Sequence, residues 1–472
     1  MSFPILSGNV ATATAATGYN VDNSCMFNDG DSAAMSRDQS ANSAGTNTKG
    51  TLSVWLKMSA AGTEQVIYTR ETDASNYFKV WFENDRLLIQ TVTSGSVTMK
   101  KETNRVFRDP SAWMNVVVIL DSTDGTAEDR QQIWINGSRE TSFANSTTIG
   151  SSANFQINTG TGTDYIGRRG SGNYYDGYMA ELVWIDGTDY AATSFGEFNE
   201  DSPNIWQPID VSGLTFGTNG FYLDFEASGN LGNDVSGGTD FTEANLAATD
   251  QMLDTCTNNF CTMNPLDQKV GGTYTFSEGN LQVEQDIIRG TLSNFGITAG
   301  KWYAEAKFVS TNSDSCRIGI VGISSVDNDN PGKPATGYVY DQDGNKSNNN
   351  TAASYGDTYS TGDIIGIAVD LDNLKIYFSK NGTFQDSGDP TSGGTGTGAA
   401  YTITAASGTP AGAYFFTHCD NADTNKVFWN FGSPAFAISS GNADDNGYGN
   451  FEYDVPAGYL ALCTKNLGKS GG

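Results

Sequence analysis

Catalysis needs a base with a nucleophile, a metal set or a pair of carboxylates, and this 472-residue chain offers few candidates. It holds a single histidine, His418, in the run YFFTHCDN, so any Ser-His-Asp scheme would have to be built there. The aromatic residues before it predict a packed histidine beside a late strand rather than a general base. A four-ligand zinc site would have to join His418 and Cys419 to distant cysteines, with no CxxC pair, and is not expected. Glycoside hydrolysis needs two carboxylates placed across a sugar. The nearest group, Glu197, Glu200 and Asp201, follows a strand instead of lining its face. The glycines between Gly393 and Gly398 lack the Gly-Lys-Ser/Thr end of a phosphate loop. The sequence thus predicts a protein that is not an enzyme.

Binding chemistry is better represented. Asp121, Asp124 and Asp129 lie in DSTDGTAED, and Asp341 and Asp343 in DQDG. Such oxygen-rich turns could hold calcium, although none matches a full EF-hand loop. A second kind of candidate is a loop that mixes tyrosine with Asn, Asp and Arg, which suits contact with sugars or proteins. Arg168, Arg169, Asn173, Tyr174, Tyr175 and Asp176 form one such group, and Asp327, Asp329, Tyr338 and Tyr340 another.

The elements that would carry these residues are strands. Glycine is abundant (55 residues), and Ser, Thr, Asn and Asp crowd the stretches between short apolar runs, so turns are many. In 51–58, Leu52, Val54, Leu56 and Met58 alternate with Ser53, Trp55 and Lys57, the period of a strand with two distinct faces. The run 114–120 is nearly all apolar and should be a central strand buried on both sides. Asn84-Asp85 and Asn136-Gly137 predict hairpins, and Asp186-Gly187 another turn. In the second half, 301–308, 317–323 and 363–378 read as strands, the last as a pair parted by Asp372-Asn373. Residues 226–270 lack either period and predict an inter-domain connection, partly pinned to a domain.

The charge balance, 54 acidic against 26 basic residues for a net of −28, disfavours nucleic acid and anionic lipid as partners. No apolar run reaches the ~18 residues of a membrane span. The opening residues lack a basic n-region, so no export is expected. Six scattered cysteines do not make a disulfide scaffold; Cys256 and Cys261, five apart, could form a small bridge or stay as two thiols, and the lack of an export signal favours thiols.

TLSVWLKMS (51–59), QIWINGS (132–138) and YIGRRGSGNYYDGYMAELVWIDG (165–187) resemble the concanavalin-A-like jelly roll of laminin-G and pentraxin-type modules, with Asp176, Gly177 and Glu181 at matching places. Gly300–Glu305, Ile318–Val321, Gly362–Gly382 and Asn430–Gly432 are similar to the marks of the SPRY domain. The resulting expectation is an all-β chain of two antiparallel β-sandwich domains. A jelly roll would cover 1–225, a connection 226–270, and a SPRY-like sandwich with a C-terminal extension 271–472. The jelly-roll resemblance brings calcium on rim loops as an implied cofactor. It also brings family 16 glycoside hydrolases to mind, but their ExDxE strand is absent.

The succession of both modules with NIWQP (204–208), GTNGFYLDF (217–225) and the ending GYGNFEYDVPAGYLALCTKNL (447–467) resembles structural proteins of tailed bacteriophages. That likeness implies a virion protein assembled in the host cytoplasm. A tail fibre, tip or spike with lectin-like recognition of the host surface is the first expectation. A capsid decoration or tail adaptor touching only other virion subunits is the alternative, and a polysaccharide depolymerase the third. The expected partners are other virion proteins, a host surface glycan or protein, and further copies of the chain in a homo-oligomer, with no nucleic acid and no membrane insertion.

Overall fold

The alternation in 51–58 is realised as a ten-residue strand, Lys49–Met58, at the middle of a sheet. Leu52, Val54, Leu56 and Met58 enter one continuous core. The computed structural model describes residues 5–6, 18–39, 44–267, 273–285, 290–310, 316–323, 330–420 and 425–470. Two compact units divide the chain, Ala16–Thr257 and, with the first residues, Asn258–Gly472. No helix among the described residues is long and apolar enough to cross a membrane.

The first unit is a sandwich of two eight-stranded antiparallel sheets. The first sheet runs Ser138–Arg139, Gln131–Ile135, Met114–Asp121, Lys49–Met58, Gly177–Asp186, Ser24–Phe27, Gln251–Met252, with Phe221–Leu223 also beside Gly177–Asp186. The second runs Phe143–Thr147, Ser96–Thr103, Arg86–Thr93, Asn76–Glu83, Gln65–Asp73, Thr163–Ile166, Ala34–Asp38, Thr242–Ala244. Met114–Asp121 is buried on both sides, as its composition requires. Val116, Val118 and Leu120 face the core, while Val117 and Ile119 pack under Ala192, Phe195 and Val211. Both expected hairpins form with left-handed residues, Asn84 and Asp85 in one and Asn136 and Gly137 in the other. Gly137 is irreplaceable on a second ground, because a Cβ there would lie 2.2 Å from the Trp206 ring. Asp186-Gly187 makes no hairpin. The Asp186 carboxylate instead accepts the amides of Thr46 (2.8 Å) and Asn219 (3.0 Å) and ends its strand against the following loop.

The stretch 226–270, expected as a connection, divides between the units. Residues 226–257 complete the jelly roll: Thr242–Ala244 pairs with Ala34–Asp38, and Gln251–Met252 with Ser24–Phe27. The physical cause is a buried charge network. Arg37 bridges Asp164 (3.0 Å) and Asp234 (3.3 Å), with all three side chains at most 2% exposed. Its guanidinium also donates to the carbonyl of Asn219 (2.9 Å) and lies over the rings of Phe221 and Phe241. Lys57 pairs with Asp254 at 2.7 Å, also fully buried. From Asn258 onward the chain belongs to the second unit: the amide of Cys261 donates to the carbonyl of Leu462, and Met263 bridges Ser293.

That unit is a second sandwich, of nine and six strands. Lys301–Ser310 lies between Asn425–Asn430 and Ile364–Asp370 in the larger sheet; Arg317–Val321 lies between Phe415–Cys419 and Gly337–Asp341 in the smaller. The chain after Gly432 stays within the unit because buried Glu305 accepts the amides of Glu452 (3.0 Å) and Tyr453 (2.9 Å) and the side chain of Asn430 (3.1 Å).

Candidate functional site

Strand alternation decides which side chains of the jelly roll's second sheet face away from the core. In Asn76–Glu83, Phe78, Val80 and Phe82 point inward, leaving Tyr77, Lys79 and Trp81 on the outer face. Pairing then lines up three cross-strand rows. Tyr165, Thr69, Lys79, Gln90 and Lys100 form the middle row. Glu71, Tyr77 and Val92 flank it on one side, and Val66, Trp81 and Leu88 on the other.

The expected 168–176 loop delivers two arginines to this face. Thr163–Ile166 ends, and the chain runs on beside Gln65–Asp73, with the amide of Val66 donating to the carbonyl of Asn173 at 3.0 Å. An Arg169–Gly172 bridge folds the tip back. Arg169 then lies 3.7 Å above the Tyr77 ring and pairs with Glu71 at 3.3 Å, while Arg168 lies 4.8 Å above Tyr165. Lys79 sits 3.9 Å over Trp81 and pairs with Glu64 at 2.6 Å. Burial pulls the Lys79 ammonium below its usual pKa against the opposing pull of Glu64, and Arg169 nearby lowers it further. Gln90 donates to the Tyr77 hydroxyl at 3.2 Å. The Thr69 hydroxyl is buried in the middle row without a hydrogen-bond partner among the described residues, as is Nε of Arg168. The face therefore carries the Tyr77 and Tyr165 rings with an arginine over each, carboxylates already paired with cations, and, beneath its surface, two buried polar atoms without a partner among the described residues.

The expected ligand residues separate. Arg168 and Arg169 are in the platform, with Asn173 exposed and Tyr174 half-buried at its edge. Tyr175 is not a contact residue: its ring is fully buried in the core, 6.3 Å from that of Phe27, and its hydroxyl donates to the Lys57 carbonyl. Asp176 is 7% exposed and joins strands through its backbone, accepting from Ser59 at 3.0 Å. Asp327 and Asp329 lie outside the described residues. Tyr338 and Tyr340 are buried on the inner side of the second unit, Tyr338 accepting the Thr404 amide and Tyr340 packing on Phe378 at 5.5 Å. Strand Gly337–Asp341 thus replaces what the sequence presented as a loop.

The calcium candidates are diverted as well. Asp121 is held by Lys49 (2.8 Å) and by the amide of Thr123, Asp124 caps the Thr126 amide, and Asp129 pairs with Arg139. Asp341 pairs with Arg317 and accepts from Ser347, whereas Asp343 caps Asn345. Among the described residues no group of three or more His, Cys, Asp or Glu converges as a metal site would require. His418 is fully buried, and burial pushes its imidazole down to about 3. Its Nδ1 accepts from the Trp429 indole at 3.0 Å, with Thr291 at 3.3 Å. No described cysteine is in a disulfide.

Comparison with known proteins identifies both domains. Residues 28–188 match the model of the concanavalin A-like lectin/glucanases superfamily, and residues 301–407 that of the SPRY domain. The chain is thus an all-β protein that joins a concanavalin A-like domain to a SPRY domain. It is 33% identical over 125 residues to the ATP-dependent RNA helicase DDX1 of Xenopus laevis, a match covering 25% of this chain and only 16% of that protein's length. Three solved structures are among those to which the chain is similar at low identity. The SPRY domain of human HERC1 is 16% identical, covering 35% of this chain and 96% of that one, with a TM-score of 0.27. The heptameric SAP-like pentraxin from Limulus polyphemus is 13% identical, covering 35% and 76%, TM-score 0.27. Domain 4 of AbnA, a GH43 extracellular arabinanase from Geobacillus stearothermophilus in complex with arabinotriose, is 15% identical, covering 30% and 63%, TM-score 0.22.

Proposed function

We propose that this chain is a non-catalytic glycan-binding protein that reads sugars through the outer face of its second jelly-roll sheet. The observation that carries this reading is Arg169, held over the Tyr77 ring and paired with Glu71 on a face that also presents Gln90 and Tyr165. Sugars combine an apolar C–H face with a fan of hydroxyls, so they need flat rings beside donors and acceptors fixed in direction. The two arginines laid over Tyr165 and Tyr77 give the face a positive charge that favours a sugar carrying a carboxylate. The superfamily matched by residues 28–188 includes lectins by name, which supports the same reading.

Absence of catalysis is part of the proposal. A glycosidase needs two uncommitted carboxylates across the sugar, whereas Glu71 is taken by Arg169 and Glu64 by Lys79. The setting we propose is a virion surface, with host glycans as ligand and other particle subunits as neighbours. That part rests on the order of motifs along the sequence.

The test is a glycan array probed with the full chain, followed by titration of the retained glycans. Arg169→Ala and Tyr77→Ala should each weaken binding at least about tenfold, the loss of one charge-assisted or stacked contact. No retained glycan, or wild-type affinity in Arg169→Ala, overturns the site. Release of reducing sugar from a bound polysaccharide overturns the non-catalytic half.

A further inference from the structure

The opposite side of the same sandwich is organised differently. Residues 188–216 fold over the outer face of the first sheet, with Phe195, Val211 and Phe216 packed on Val117, Val183 and Tyr222. Beside that cover a cleft of about 430 Å³ stays open. Tyr19, Phe216 and Tyr222 are among the residues lining it, the last two stacked on each other at 6.0 Å and 7°. Its rim carries Asp210, Asp224 and Glu226, and no Lys or Arg lines it.

Behind the aromatic wall lies a third kind of group. The strand Gly177–Asp186 bulges between Ala180 and Val183, and Glu181 there has a left-handed backbone, φ 50°. Glu181 is 5% exposed, and its carboxylate accepts from the Tyr222 hydroxyl at 2.9 Å; the Tyr222 oxygen lies 3.2 Å from that of Tyr19, which lines the cleft. Hydroxyls in such a chain point one way or the other. With Glu181 charged, Tyr222 donates to it and the Tyr19 hydroxyl also points its proton inward, toward Glu181 or the Tyr222 oxygen, so the Tyr19 oxygen turns its lone pairs toward the cleft. With Glu181 neutral, the chain can run in reverse.

We infer that this cleft is a binding site for an organic ammonium ion, whose charge is read through the Tyr19–Tyr222–Glu181 chain. Aromatic side chains lining a cleft attract a cation, and three rim carboxylates in a chain of net charge −28 add a field of the right sign. A bare metal ion fits less well. The cleft far exceeds one ion's volume, and no three carboxylates among the described residues converge to coordinate it. The site stands apart from the sugar-binding proposal, because it lies on the other sheet and shares no residue with the platform.

Proton linkage gives the inference a distinctive signature. Burial raises the Glu181 carboxyl to about 8, Asp224 and Glu226 add to the rise, and the hydrogen bonds from Tyr222 and Tyr19 oppose it. Asp210 is the other charged group close to the pair, acting on Tyr19. A cation in the cleft favours the charged form, so binding releases a proton at neutral pH and tightens as pH rises through about 8.

The experiment is calorimetric titration of the full chain with choline at pH 6.5 and pH 9, beside its neutral isostere 3,3-dimethylbutan-1-ol and calcium chloride. Choline should bind saturably, about tenfold tighter at the higher pH, a change equal to one pH unit of displaced pKa. Glu181→Gln should keep the weaker binding and lose the pH dependence. The exposed-rim variant Asp210→Asn/Glu226→Gln, which touches no core residue, should weaken choline at both pH values. Equal binding of the isostere, tighter binding of calcium than of choline, no saturable choline binding, or an unchanged pH dependence in Glu181→Gln each overturns the inference.

Discussion

Glu305 offers a test of the second unit in which the sign is fixed by the structure. Its carboxyl is fully buried and holds the returning chain through the amides of Glu452 and Tyr453 and the side chain of Asn430. Burial raises it from the ordinary 4.5 to about 7, against the pull of those donors. Because the folded value lies above the unfolded one, the associated stability is complete below pH 4.5 and is lost as pH rises through 7. At about 1.4 kcal/mol per pH unit the displacement is worth about 3 kcal/mol. Glu305→Gln cannot ionise, so it removes this dependence while giving up part of the acceptor set. The assay is urea unfolding of wild type and variant at pH 4.5, 6 and 7.5, followed by tryptophan fluorescence, with Trp302 and Trp429 reporting the second unit. The variant should be clearly the weaker at pH 4.5, and the gap should narrow by about 3 kcal/mol toward pH 7.5. A gap that is constant across this range, or that widens, refutes the assignment of the raised carboxyl to Glu305.

Two further outcomes follow from buried charges in the jelly roll. Asp234→Ala strips Arg37 of one partner and leaves the amides of Tyr222 and Ser236 without their acceptor. It should cost about 3 to 5 kcal/mol and expose 226–257 to limited proteolysis before the rest of the unit opens; protection equal to wild type would deny that this segment belongs to the domain. Lys79→Met should leave the melting temperature equal or higher, since a nearly buried ammonium is replaced by an apolar chain over Trp81, yet weaken glycan binding. A fall in both would make Lys79 a structural residue.

What the sequence made legible follows the reach of its signals. Period 2 in 51–58 and the hairpin dipeptides are local, so strands, core face and turn positions could be read directly. The same alternation predicted that Ser53, Trp55 and Lys57 face away from the core, which they do. It could not say that they are buried all the same, because their cover comes from residues far along the chain, such as Trp206 and Asp254. The place of 226–257 was hidden for that reason too: Asp234 finds its meaning in Arg37, 197 residues away. Within the 168–176 loop, composition alone could not separate Tyr174 from Tyr175, since one step along the chain exchanges surface for core. Tyr77, Lys79 and Trp81 were within reach, as aromatic and cationic residues at the outward positions of an otherwise regular strand.

The contrast between the two outer faces of the jelly roll argues for function on the second. The first sheet buries its outer residues under its own chain, with apolar packing and one buried Lys57–Asp254 pair. The second sheet instead keeps Tyr77, Gln90 and Tyr165 half-buried around buried Thr69, Lys79 and Trp81, and lays an arginine over each of the two tyrosines. Stability does not explain that choice. Partly exposed ion pairs such as Arg169–Glu71 contribute about 0 to 1 kcal/mol, and Lys79 is held at a cost that its lowered pKa reports. Two arginines brought from a loop onto two half-buried tyrosines, beside the amide of Gln90, make physical sense as a surface suited to a polar, ring-shaped partner.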